Sequence, residues 1–409
     1  MISFASLLGV LALAAGAVGE HPIERNAAAE VLVERGGELG IPFERAARAA
    51  TSEASVAYSE AGTRAWLESQ LAIADESIGE PPKALTQYLD ESKAALEAIV
   101  SALERQAPDW GRDEVDKNGT VNTPALTPSI RLQSVLLAAA LVETRAGREI
   151  EAERLLEASW SLARPAAEAP LLITQIMTIH SGVWQAGVLR KMRSSPLPWM
   201  DRFSRDRSWS DMLEAYASET KSQGSEGSRQ LSEAWEEVER KAPAAIAAGL
   251  KKLGPCAGAS LDDEGIWKLA ERDLFPSSDP VVLQARDVFR EMIPLVSGFV
   301  RRAAQLAVDR ELTLEILRLR LAKEQDAEGR WPARMENVVS TTCPSADYFY
   351  RADARGMEIR FEGEAPAPAA LFLLPLSFRS VEAPKAKVSA MPTPPLLTPT
   401  PTGGMIAPP

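Results

Sequence analysis

Apolar residues recur at helical spacing along most of this 409-residue chain, and proline or glycine punctuates them at intervals. Leu132, Val135, Leu136, Ala139 and Ala140 form one such stripe. The spacing i, i+3, i+4, i+7, i+8 marks one face of an amphipathic helix. Thr127-Pro128 supplies an N-cap and a first-position proline, and Gly147 supplies a stop. A second stripe follows at once, with Ala152, Leu155, Leu156, Ser159 and Leu162, and Pro165 predicts its end. Two helices with so short a connection pack as an antiparallel hairpin. The predicted fold class is therefore mainly α, an antiparallel helical-hairpin array with a small C-terminal α+β module.

The rest of the chain reads in the same way. Residues 24–78 are rich in Ala and Glu at helical spacing, broken at Ile41-Pro42, and Lys83 to Arg105 reads as a single helix. Residues 107–123 are polar and rich in Gly, Asp and Asn, which predicts a loop. Pro170 to Met192 is apolar on most sides, as expected of a central helix, and Ser194 to Pro198 breaks it. Asp211–Lys221 and Arg229–Leu253 read as helices, and Asp262-Asp263-Glu264 as the cap of a helix running to Glu271. Asp279-Pro280 opens a long helical region, Val281 to Asp326, interrupted near Pro294. The order L-x-x-A…G…A-x-x-L in the first hairpin has a tetratricopeptide character, without a motif that repeats at a fixed period.

After Gly329 the pattern changes. Residues 333–339 read as a short helix, 347–351 and 357–361 as a β-hairpin, and 370–375 as a third strand. The Pro- and Thr-rich residues 381–409 are expected to be disordered, because they bury too little apolar surface to offset ordering. The organisation predicted is an N-terminal apolar segment (1–18), a helical region (19–123), a hairpin body (124–326), the small module (327–380) and the tail.

Met1 to Val18 carries no charged side chain, and Ala15-Gly16-Ala17 fits a small-x-small cleavage pattern. The run is shorter than the roughly 20 residues of a comfortable bilayer span. It reads as a signal peptide, or as an anchor held by residues 2–18, and lacks the usual positive n-region. Export, to a periplasmic or other extracytoplasmic site, is the expected localisation. Cys256 and Cys343 are then disulfide candidates, with two separate buried thiols as the alternative.

The stretch L-E-I-L-R-L-R-L-A-K-E-Q-D-A-E-G-R-W-P-A-R-M-E-N-V-V, continued to Phe361, resembles the helix, G-R-W-P and β-hairpin module of type II secretion pseudopilins. Gly329 fits a left-handed cap, Trp331 can pack back on the preceding helix, and Pro332 can start the next. The module here is C-terminal and is not fused to the apolar N-terminus, so pilus assembly is not implied. The wider layout, with His21-Pro22-Ile23-Glu24-Arg25-Asn26 after the apolar segment, resembles a group of uncharacterised bacterial envelope proteins. That resemblance implies a fold and a location, and no mechanism.

A net charge of −12 argues against nucleic acid as a partner and against a grip on anionic lipid. Arg301-Arg302 and Lys251-Lys252 read as solvated helix faces. Ser218-Glu219-Thr220-Lys221 matches S-x-x-K but lacks its companion motifs, and Gln223 replaces the first glycine of a nucleophile elbow. Cofactor fingerprints and metal-ligand spacings are absent from the sequence, so no cofactor and no metal are expected. The sequence therefore nominates no catalytic residue. His180 with Trp184 and Trp160 is the candidate cleft for a hydrolase acting on peptide or glycan. The preferred expectation is a non-catalytic envelope scaffold with a protein partner, touching the membrane only through its N-terminal segment. The discriminator is whether His180 has a carboxylate in hydrogen-bond reach.

Overall fold

The computed structural model describes residues 25–43, 53–110, 126–168, 172–193, 196–205, 208–218, 229–274, 280–353, 356–364 and 373–381. The N-terminal apolar segment, His21, Glu219–Lys221, the Gln223–Gly227 stretch and the tail beyond Val381 lie outside the described residues. Thirteen helices and one three-stranded sheet are described. The first helices are α1 (Ala27–Gly36), α2 (Glu53–Leu71), α3 (Lys83–Glu91) and α4 (Lys93–Arg105). The hairpin α5 (Leu126–Arg145) and α6 (Glu149–Glu168) follows, then α7 (Leu172–Lys191), α8 (Pro196–Arg205) and α9 (Trp209–Ser218). The last are α10 (Arg229–Leu253), α11 (Pro255–Ala259), α12 (Asp263–Leu274) and α13 (Pro280–Gln325). The chain is mainly α with a small C-terminal α+β part, as its periodicity predicts.

The α5–α6 turn shows why the hairpin forms. Gly147 takes φ +75°, its N–H donates to the Thr144 carbonyl, and Arg148 N–H reaches back to Glu143. This is a Schellman closure, which favours glycine at the left-handed position. Helix α5 then packs against α2, α6 and α7. Being enclosed on three sides, it buries Gln133, Ser134, Leu137 and Ala138 besides the predicted stripe. Among the described residues it is the one helix apolar and long enough to cross a bilayer, and most of it is buried inside the protein.

Proline positions account for several differences from expectation. Helix α13 runs unbroken through Pro294. That residue is exposed, so the Arg290 carbonyl it frees faces water. Helix α6 continues one turn past Pro165, and Gln175 donates to its Ala167 carbonyl. Pro196 opens α8 inside the segment expected to be a break. Helix α5 begins at Leu126, ahead of the expected Thr127 cap. Residues 83–105 form two helices, divided at Ser92. Asp262 does cap α12, its Oδ1 accepting from Gly265 N–H at 2.7 Å.

The sheet comprises β1 (Asp347–Asp353), β2 (Gly356–Glu362) and β3 (Ser377–Val381), antiparallel in the order β1-β2-β3. Tyr350 pairs with Ile359, and Ile359 with Phe378. The third strand lies beyond the expected 370–375. Residues 373–375 are not strand, because Pro375 has no N–H to donate and its carbonyl instead accepts from Arg190. The expected helix at 333–339 is absent. Its β-branched end joins the sheet, with Val339 bridging Asp347 and the Val338 carbonyl accepting from Tyr348. Gly329 has φ +64°, and Lys323 Nζ lies 4.4 Å from the centre of the Trp331 ring. The turn after α13 thus folds back on its helix.

Helix α13 belongs to two cores. Phe289, Ile293, Val296, Phe299 and Val300 join the helical body. Val308, Leu312, Ile316 and Leu319 join the sheet residues Tyr348, Ile359, Phe361 and Phe378. Cys256 in α11 is bonded to Cys343 in the loop before β1, with a Cα–Cα distance of 5.4 Å. That separation is ordinary for a disulfide. Replacing both cysteines by alanine opens an 87-residue loop. The expected loss is about 4–5 kcal/mol in the chain-entropy picture, read from urea unfolding of wild type and variant. A loss below about 1 kcal/mol would mean that the α13 packing alone secures the module.

Candidate functional site

Helix α7 is the centre of the body, and its Ile176, Ile179, Val183, Trp184, Val188 and Leu189 are all buried. His180 lies among them at 8% exposure. Its ring sits edge-on to Trp184, centroids 4.1 Å apart at 62°. Burial, and then the positive charges of Arg64 and Arg302, push its pKa down to about 3. The imidazole is therefore neutral across the physiological range, and both charges acting on it are cationic. A general base needs a poise near the working pH and usually a carboxylate to orient it. His180 has neither.

Trp184 is fully buried, with the Arg64 guanidinium carbon 5.5 Å from its ring centre. Trp160 belongs to another aromatic cluster. It stacks on Trp199 at 5.5 Å, meets Phe203 edge-on and lies under Arg202. The three residues nominated from sequence thus divide between two packed clusters and do not line one open cleft.

The strongest concentration of buried charge lies nearly two turns beyond Trp184 on α7. Arg190 Nε donates to Thr313 Oγ1 at 2.9 Å, Nη1 to the Pro375 carbonyl, and Nη2 to the Asp309 carbonyl at 2.8 Å. The same Nη2 is 3.4 Å from Asp309 Oδ1. Lys191 Nζ donates to the carbonyls of Ile73, Asp75 and Ser77 at 2.9, 2.6 and 3.0 Å. Arg320 closes the end of α7 from α13, donating to the carbonyls of Leu189, Arg190 and Met192. The last carbonyls of a helix have no partner within it, and a buried guanidinium supplies one here.

Burial shifts these groups. It pushes the Asp309 carboxyl up to about 6, although Arg190 and Gln305 pull the other way. It lowers Lys191 to about 8, with Asp75 and Glu76 opposing. Shifted groups beside a cleft are the usual signature of a site. A shallow cleft does lie here, lined by Asp75, Arg190, Lys191, Pro375 and Phe378. Its interior volume, about 10 Å³, is far below the roughly 300–1,000 Å³ of most ligand pockets. Its cations already donate to backbone carbonyls, so the arrangement serves as a polar junction between α7, α13, the loop after α2 and β3. That loop joins the sheet directly, since Arg379 N–H donates to the Ala74 carbonyl at 2.8 Å.

A second polar anchor sits on another face of α13. Glu311 accepts from Ser340 Oγ, from the N–H and Oγ1 of Thr341, and from Thr342 N–H. Burial alone would raise this carboxyl, but the donors hold it below its ordinary value. They also position the loop that carries Cys343. The sequence reading missed Arg190, Lys191, Asp309, Glu311 and Arg320. Asp309 and Arg320 interrupt the apolar row Val308, Leu312, Ile316, Leu319, and that interruption is the signal that could have found them.

Among the described residues, no group of three or more His, Cys, Asp or Glu side chains could hold a metal ion. No family model, curated protein or solved structure matches the chain.

The Asp309 carboxyl generates a pH expectation. In the unfolded chain it titrates near 3.9, and the folded protein holds its proton more tightly. Its contribution to stability is complete below about pH 4 and is lost as pH rises through about 6. Asp309→Asn does not titrate. The stability of wild type relative to this variant should therefore fall between pH 4 and 6 and level off above about pH 7, measured by urea unfolding. Asp309→Ala leaves the Arg190 guanidinium buried without its carboxylate and should cost about 3–5 kcal/mol.

Proposed function

We propose that this protein is a non-catalytic, exported or membrane-anchored envelope protein that acts as a protein-interaction scaffold. The observation that carries the reading is an exposed apolar row on α13. Val288, Met292 and Leu295 are 46, 39 and 38% exposed, and their spacing of four and three residues puts them on one helix face. The adjoining face, Ala285, Phe289, Ile293 and Val296, is buried in the body. A helix already anchored on one side gains nothing in solution from a second apolar row, and such rows commonly receive a partner.

Charge narrows the partner. Arg286 and Arg290 turn toward Glu271 and Glu264 at 2.8 Å each. Asp287 and Glu291 stay exposed beside the row. The complementary partner is an amphipathic helix with Lys or Arg flanking its apolar face. The apolar Met1–Val18 segment supports an extracytoplasmic location. So does the Cys256–Cys343 bond, which persists most readily in an oxidising compartment. The alternative, a hydrolase working through His180, loses support because that imidazole is neutral, buried and without a carboxylate.

A photo-crosslinking residue at position 288, introduced in the full-length protein in its native envelope, tests this. The expected result is one discrete adduct that disappears with Met292→Glu and persists with Ile150→Glu, a more exposed apolar position elsewhere (75% exposed). Absence of a discrete adduct, or one indifferent to Met292→Glu, would sink the scaffold reading. Fusing residues 1–30 to a reporter active only outside the cytoplasm tests location separately, with an active reporter expected.

A further inference from the structure

We propose that the exposed face of α13 receives a second copy of the same helix, so that the protein forms a homodimer in which two α13 helices cross antiparallel about a twofold axis at Leu295. The inference rests on the reading of this face as an interaction surface, and it names the occupant. The face extends beyond the apolar row. A helix turns by about 100° per residue, which places Val288, Glu291, Met292, Gly298 and Arg302 all within about 60° of Leu295. Gly298 is partly exposed, and a Cβ built on it would meet nothing within 4 Å. The row therefore ends in an open gap, where the backbone itself can be approached closely. The face closes two turns further on, where Leu306 lies against Gly182 of α7.

Charge identifies the second copy. Asp287 and Glu291 stand exposed at the N-terminal end of the face, and Arg302 stands at the other end. The neighbouring cations are engaged elsewhere: Arg286 and Arg290 with Glu271 and Glu264, and Arg301 with the Leu261 carbonyl at 3.3 Å. Arg302 is half-buried, and its Nε is enclosed without a hydrogen-bond partner. Among the described residues it has no ion pair, and burial lowers its pKa with no carboxylate to oppose the shift. A half-buried guanidinium is costly without a carboxylate. Acid at one end and base at the other make the face complementary to itself when two copies run antiparallel. A twofold axis at Leu295 sets Val288 opposite Arg302 and Met292 opposite Gly298, because each pair is symmetric about position 295. The Arg302 guanidinium of one copy then reaches Asp287 and Glu291 of the other, which lie one residue before and three residues after Val288. Met292 enters the gap over Gly298. Every contact occurs twice, as an isologous interface requires. Parallel helices would set acid on acid and base on base. An unrelated cationic helix would satisfy Asp287 and Glu291 but leave Arg302 without an anion.

The photo-crosslinking residue at position 288 separates this inference from the reading beneath it. The expected adduct in the native envelope has twice the mass of the chain and contains this protein alone. A discrete adduct with a different protein would overturn the homodimer and leave the scaffold reading standing, and the absence of a discrete adduct would overturn both. Charge exchange tests the pairing itself. Full-length protein, purified from its envelope in mild detergent, should sediment as a dimer. Glu291→Arg, at an exposed position, should weaken association by about tenfold or more, and so should Arg302→Glu. Combining the two variants exchanges the signs across both halves of the interface and should restore association relative to either alone. A monomeric wild type, a dimer indifferent to Glu291→Arg, or a double variant no better than the single ones would overturn the proposal. Leu295→Cys serves if Arg302→Glu does not fold. Two cysteines facing each other at a twofold axis should oxidise to a covalent dimer, whereas Ile150→Cys, 75% exposed elsewhere, should not. Equal cross-linking of the two, or none at 295, would count against the antiparallel crossing.

Discussion

The buried contact between Arg190 and Asp309 is the interaction on which the architecture turns. It joins α7 to α13 at the point where the helical body gives way to the sheet. Both side chains are almost completely removed from water, at 5 and 0% exposure. Removing a charge from water is expensive, so such a pair persists only when further hydrogen bonds satisfy it. Thr313 and the carbonyls of Asp309 and Pro375 do this for Arg190. Lys191 and Arg320 extend the arrangement to the loop after α2 and to the open end of α7. A junction of this kind specifies one docking angle, because any other leaves a charge unpaired. An apolar contact of the same area would tolerate sliding.

The same physics explains why the shifted groups here are structural while the quieter surface of α13 is the better place to look for function. Lys191 and Asp309 are perturbed because they are enclosed, and they are enclosed because the fold uses them. A catalytic group must keep a free valence for its substrate. The donors of Arg190, Lys191 and Arg320 already meet backbone carbonyls. Arg302 Nε and Trp184 Nε1, by contrast, are enclosed without a hydrogen-bond partner among the described residues.

Much of the helical architecture was legible because it depends on local spacing. The α5 stripe, the Gly147 turn, the 229–253 helix and the strands around Tyr350 and Ile359 follow from periods of 3.6 and 2 and from turn chemistry. The misreadings cluster at proline and at the C-terminal module. Pro294 and Pro165 would end helices if the freed carbonyls had no alternative, and whether they have one depends on which face meets water or a neighbour. Residues 333–339 have a plausible helical composition, yet Val338 and Val339 pair with β1. That preference exists only once the strand is in place.

The sequence by itself determined the class of the fold, the apolar character of the first eighteen residues and the absence of a recognisable catalytic motif. Each of these is a property of neighbouring residues. Tertiary structure alone decided which charges are buried and what meets them. Arg190 finds Thr313 and Asp309 more than a hundred residues away, and Lys191 and Arg320 are tied across similar spans. No local pattern encodes such partners, because a buried charge is stabilised by groups that the folded chain brings together from distant segments. His180 and Arg302 make the same point. One was nominated as part of a candidate cleft and the other as part of a solvated helix face, and tertiary packing buries the first and half-buries the second.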